Sequence, residues 1–121
     1  MRIRSLHYAA NVVYTLALIY GSLMKPSASV SELFLGYVSS IIHFAAYLIL
    51  SCLWYAYTLN VKSTMFISLT LGFILEIIQY FLPFREFSFL DILGNVTGSI
   101  MFLPFKRELM LLRSRLYEKF R

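Results

Sequence analysis

The run TMFISLTLGFILEIIQYFL, residues 64–82, carries one charge, Glu76, and stops at Pro83. Roughly 18 or more apolar residues with few charges are enough to cross a bilayer as a helix. Two uncharged runs precede it: Leu6 to Met24 ends at Lys25-Pro26, and Tyr37 to Leu59 ends at Asn60-Val61-Lys62. A fourth, Phe89 to Phe105, has Asp91 near its start and ends at Lys106-Arg107. At that length it sits at the short limit for a span.

Composition agrees with this reading. Of 121 residues, 60% are hydrophobic and 14% charged, whereas soluble domains carry about 25% charged residues. The period-2 alternation of a transmembrane barrel is not seen. The expected fold is therefore all-α: one integral membrane domain over residues 1–121, with four transmembrane helices at about 6–24, 37–59, 64–82 and 89–105. A secretory signal is the alternative for the first run, after Arg2 and Arg4, but no small-x-small cleavage pattern stands near Gly21. The single Cys52 excludes an internal disulfide and offers no cysteine cluster for a metal. It reads as a small packed hydrophobe.

The net charge of +5 suits anionic lipid headgroups and the setting of orientation better than nucleic acid, which is not expected as a partner. With the N-terminus inside, Arg2, Arg4, Lys62, Lys106, Arg107, Arg113, Arg115, Lys119 and Arg121 lie on the inner side. Only Lys25 and Arg85 are left outside. Nine against two places both termini in the cytoplasm of a multi-pass cell-membrane protein and turns the Pro83–Phe87 connection outward. The tail 106–121 reads as a basic amphipathic helix with Leu109, Leu112, Leu116 and Phe120 on one face, suited to lying on the inner leaflet. Ser29-Val30-Ser31-Glu32 fits a capping box ahead of the second span.

The polar residues inside the apolar runs are the informative ones. The third and fourth spans are joined by only about five residues, so they are antiparallel neighbours. Glu76 and Gln79, three apart, share a helix face, as do Asp91 and Asn95, four apart. Glu76, Asn95 and, on the second span, His43 each lie roughly 9 Å from the outer end of their helix, at 1.5 Å per residue. Tyr47 lies one turn below His43. Exposed to lipid, such groups would each cost several kcal/mol, so they are expected to turn inward and meet in one outward-facing polar pocket. Gly94 and Gly98 allow a neighbouring helix to approach closely, and Gly72 helps on the third span.

Each residue also has a plainer role open to it. Ser88-Phe89-Leu90-Asp91 matches a capping box, Gln79 and Asn95 fit as interhelical hydrogen-bond glue, and Arg85 fits a headgroup contact. His43 and Tyr47 are equally suited to packing. Glu76 lies too deep to cap a helix end and must be paired or protonated.

The ordered set Gly72-x3-Glu76-x2-Gln79-x5-Arg85-x5-Asp91-x3-Asn95-x2-Gly98, with His43-x3-Tyr47 before it, resembles the signature of the VanZ-like family over about residues 36–103. The resemblance implies a small four-helix membrane protein with a cell-envelope role, since the family is named for a member associated with resistance to the glycopeptide teicoplanin. Many members have an Asp-Lys pair where this chain has Ser39 and Ser40. An activity needing those charges is either lost here or uses Arg85.

Two functions fit these residues. One is a binding protein whose pocket takes an envelope component or antibiotic, with membrane lipids, a lipid-linked precursor or a glycopeptide as partners. The other is an acid–base enzyme acting on a lipid-linked envelope substrate. Glu76 and His43 are the candidate acid–base pair, and Gln79, Arg85, Asp91, Asn95 and Tyr47 the candidate ligand contacts. A metal on His43, Glu76 and Asp91 is conceivable, but their spacing does not demand one, and no metal or cofactor is assigned.

Overall fold

A computed structural model of the chain describes residues 2–25 and 32–120. Helix α1 spans Arg2–Leu23, α2 Glu32–Thr58, α3 Val61–Tyr80, α4 Phe89–Ile100 and α5 Lys106–Lys119. A short 3-10 turn, Leu103–Phe105, joins α4 to α5, and no strand occurs among the described residues. The capping box expected at Ser29–Glu32 falls outside those residues.

Two helices are long and apolar enough to cross a bilayer: Gly36–Thr58 within α2, mean hydropathy 1.6, and Val61–Tyr80, mean hydropathy 1.7. Packing in the chain is inside-out relative to a soluble domain. The fully buried side chains include Asn11, Ser51, Thr64, Ser68, Glu76 and Ser99, while Ile41, Phe66 and Phe73 face outward, each about two-thirds exposed. Water would drive the opposite sorting, whereas lipid, as apolar as Phe and Ile, leaves small and polar residues to hold helices together.

The α2–α3 connection is tight. Leu59 adopts φ 53° and its N–H donates to the Tyr55 carbonyl at 2.7 Å, an αL helix end of the kind glycine usually supplies. Asn60 then caps α3, its Oδ1 accepting from Ser63 N–H at 3.0 Å. The two helices therefore fold back on each other.

The fourth predicted segment differs from expectation. Residues 89–105 were expected as one helix, but α4 ends at Ile100. Pro104 explains the break: its ring clashes with the carbonyl four residues back, Ile100, and it has no N–H to offer there. Twelve residues rise only about 18 Å, less than the ~30 Å hydrocarbon core. A fourth crossing as expected from the sequence would need residues 101–105 as well, where buried Phe102 packs on Tyr55 with ring centroids 5.3 Å apart.

α4 packs most extensively against α2, in the same chain direction, because Gly94 sits by Ser40 and His43 and Gly98 by Phe44 and Leu48. A Cβ on Gly94 would lie 2.6 Å from the Ser40 carbonyl oxygen, and one on Gly98 would collide with the Phe44 carbonyl. The sequence correctly marks this pair as a close-approach motif; the approaching helix is α2.

At the other end of the bundle, Arg4 lies over the Tyr57 ring, 5.8 Å from its centroid, and α5 returns to α1. His7 Nδ1 is 3.3 Å from the Tyr117 hydroxyl, and Arg113 covers the Tyr117 ring at 4.9 Å. The half-buried face of α5 is Leu109, Arg113 and Tyr117. Leu112, Leu116 and Phe120, expected beside Leu109, flank that face and stay exposed.

Candidate functional site

The end of the bundle away from α5 gathers the polar residues. His43 on α2 is the hub. Its Nδ1 lies 2.8 Å from Asn95 Oδ1 on α4 and 3.8 Å from Glu76 Oε1 on α3. On the far side of the ring, Nε2 lies 3.8 Å from Asp91 Oδ2. With the Asn95 amide so turned, Nδ1–H donates to it and Nε2 presents its lone pair toward Asp91.

Glycines make this convergence possible. Gly72, one turn before Glu76, leaves room for Tyr47 and Asn95, whose atoms would lie 3.1 Å and 3.3 Å from a Cβ placed there. Gly94 brings the Asp91 and Asn95 face of α4 onto the His43 backbone.

Asp91 accepts two charge-assisted hydrogen bonds from α2, from Ser39 Oγ at 3.0 Å and Ser40 Oγ at 2.9 Å. Ser88 does cap α4, accepting from Asp91 N–H at 3.2 Å. The Asp91 carboxylate, however, turns across to α2, so helix capping does not account for it. Glu76 is 2% exposed, and neither carboxylate oxygen has a hydrogen-bond partner. A buried acceptor left unmatched is costly, which makes Glu76 the least explained group in the interior.

Two of the predicted residues hydrogen-bond to α1 and not to the His43 cluster. Gln79 donates through Nε2 to the Ser22 carbonyl at 2.7 Å, tying α3 to α1 instead of joining the cluster. Arg85 donates through Nη2 to the Met24 and Gly21 carbonyls at 2.9 and 3.4 Å, holding the unpaired carbonyls at the C-terminus of α1. Tyr47, 1% exposed, packs against Gly72. Ser39 and Ser40, read from the sequence only as missing charges, prove to be the donors that hold Asp91. Their spacing, four and three residues before Asn95's partner His43, was the one clue that they face the same way.

Above this cluster lies a cavity of about 1190 Å³, bounded by α1, α2 and the α3–α4 connection. His43, Tyr47, Asp91 and Arg85 supply its polar lining, and residues such as Leu18, Ile42, Phe84 and Phe89 its apolar walls.

His43, Glu76, Asp91 and Asn95 of the expected signature thus meet across three helices, and a profile built on one family matches residues 4–106. The chain belongs to the VanZ/LLP1 family. No curated protein and no solved structure matches it. As a VanZ/LLP1 protein it combines family membership with apolar spanning helices, which makes it a membrane protein. Where the sequence resemblance implies a charged pair, Ser39 and Ser40 place two neutral donors on Asp91. Arg85 lines the cavity while its Nη2 hydrogen-bonds to α1 carbonyls.

Proposed function

We propose that this VanZ/LLP1 protein is a multi-pass cell-membrane protein, both termini cytoplasmic, that binds a lipid-linked cell-envelope component in an outward-facing pocket. The observation that carries the reading is the ~1190 Å³ cavity with apolar walls and a polar floor of His43, Tyr47 and Asp91. Small-molecule pockets are typically about 300–1,000 Å³, so a headgroup with part of its chains fits. The mixed lining suits an amphiphile better than a free ion or a wholly polar solute.

Orientation draws support from charge. Arg4 and Arg113 gather near Tyr57 and Tyr117 at one end of the bundle, while Arg85 holds the opposite end. A family link to glycopeptide resistance fits the same picture, since a protein holding an envelope precursor, or the antibiotic itself, changes what the drug meets.

The test is lipid analysis of the purified protein. Wild type should carry a specific envelope lipid by mass spectrometry, and Ile42→Trp, which fills the cavity from its wall, should lose it. An identical lipid profile in both proteins overturns the reading.

A second reading rests on the 3.8 Å separation of His43 and Glu76. An imidazole and a buried carboxyl this close need only a bridging water or a small side-chain shift to exchange a proton and serve acid–base chemistry on a bound lipid. Glu76→Gln would then abolish the phenotype at unchanged protein level. Parallel loss of protein and phenotype would reduce Glu76 to a structural residue.

A further inference from the structure

We infer that His43, Glu76 and Asp91 form a binding site for one divalent transition-metal ion of the Zn²⁺ or Mn²⁺ class. One donor atom from each residue lies within 4.8 Å of the others. Donors at ~2.1 Å around a tetrahedral ion stand roughly 3.4 Å apart, so the triad needs only modest closure to take one.

Charge makes the stronger case. Two carboxylates share a buried site whose recorded ion pairs, among the described residues, are both with His43. A protonated imidazole offsets one of the two negative charges. The other cation acting on Glu76, Arg85, spends its hydrogen bonds on the α1 carbonyls and not on either carboxylate. A buried charge without a close partner is expensive. A divalent ion with a neutral imidazole balances the two carboxylates fully. It would also give a partner to the unmatched oxygens of Glu76, which is nearly fully buried with neither oxygen hydrogen-bonded.

The surroundings are those of a metal site. Asn95 accepts from His43 Nδ1–H and so aims the Nε2 lone pair toward Asp91, and Ser39 and Ser40 fix the Asp91 carboxylate. Outer hydrogen bonds of this kind set the tautomer of a histidine ligand and orient ligating carboxylates. Mixed imidazole and carboxylate donors favour Zn²⁺ or Mn²⁺ over Ca²⁺ or Mg²⁺, which prefer all-oxygen sets. His43 and Asp91 also line the cavity, so the ion would stand at its floor.

The test uses the full chain, purified in detergent, stripped of lipid and treated with chelator. Titration with Zn²⁺ and Mn²⁺ should fill one site per chain and raise the thermal midpoint, because an ion that binds only the folded state stabilises it. Glu76→Gln and Asp91→Asn should each weaken binding about tenfold or more, and Glu118→Gln on the exposed tail should not. Wild type that binds neither ion and shows no thermal shift overturns the proposal, and then a proton on Glu76 balances the charge. Equal binding by all three variants, or a preference for Mg²⁺ or Ca²⁺, overturns it too. The wild-type arm decides even where a variant fails to fold. Because lipid has been removed, this result and the lipid-binding result can fail separately.

Discussion

Single residues in this protein are worth most where helices touch. A methyl group on Gly98 meets the Phe44 carbonyl with no flexible side chain to yield, and one on Gly94 meets the Ser40 carbonyl at 2.6 Å. Gly98→Ala should therefore destabilise by about 1–3 kcal/mol, as overpacking does, seen as a lower thermal midpoint in detergent. Gly21→Ala is the control, since nothing lies within 4 Å of its Cβ. It should gain about 0.5–1 kcal/mol of helix preference instead. Gln79→Leu removes the bond to the Ser22 carbonyl and should cost about 0.6–1 kcal/mol, the usual size of interhelical hydrogen bonds in membranes. The sequence showed that His43, Glu76 and Asn95 share a level, with Asp91 above them on the same side, because depth along a helix is simple arithmetic. It could not separate Gln79 and Arg85 from that group. Their partners are backbone carbonyls of α1, and a carbonyl leaves no mark in a sequence.

At the scale of elements, helix existence was legible and helix length was not. The apolar runs located α1, α2 and α3 to within a few residues, since a bilayer demands long uncharged stretches. The end of α4 was misplaced because hydropathy continues through Met101-Phe102-Leu103, while the backbone obeys Pro104. The α2–α3 corner holds a further consequence. Leu59 sits at φ 53°, a conformation that costs a side-chain-bearing residue about 1–2 kcal/mol. Leu59→Gly should relieve that strain and raise the thermal midpoint, and Leu59→Val, branched at Cβ, should lower it. If both substitutions destabilise to a similar degree, the apolar contacts of Leu59 outweigh the backbone.

For the whole molecule, orientation is the property most open to direct measurement. In a Cys52→Ala background, Phe84→Cys should react with an impermeant thiol reagent from outside intact cells, and Glu118→Cys only after the membrane is opened. The reverse pattern would invert the pocket as well as the topology. The charge asymmetry behind this expectation was plain in the sequence, because lysines and arginines can be counted in the flanks. The docking of α5 through Tyr117 and His7 was not, since it depends on a turn at residues 101–105 that the apolar pattern conceals. That turn also makes the bundle uneven. α2, with 27 residues, rises about 40 Å, and α4 about 18 Å before its backbone loses regular helical pairing. On the proposed multi-pass topology, acyl chains on the α4 side meet a shorter greasy wall than those on the α2 side, and the surrounding bilayer is expected to thin to match it. In vesicles of mixed chain length, this protein is expected to collect short-chain phospholipid around itself and to favour the thinner regions of a membrane.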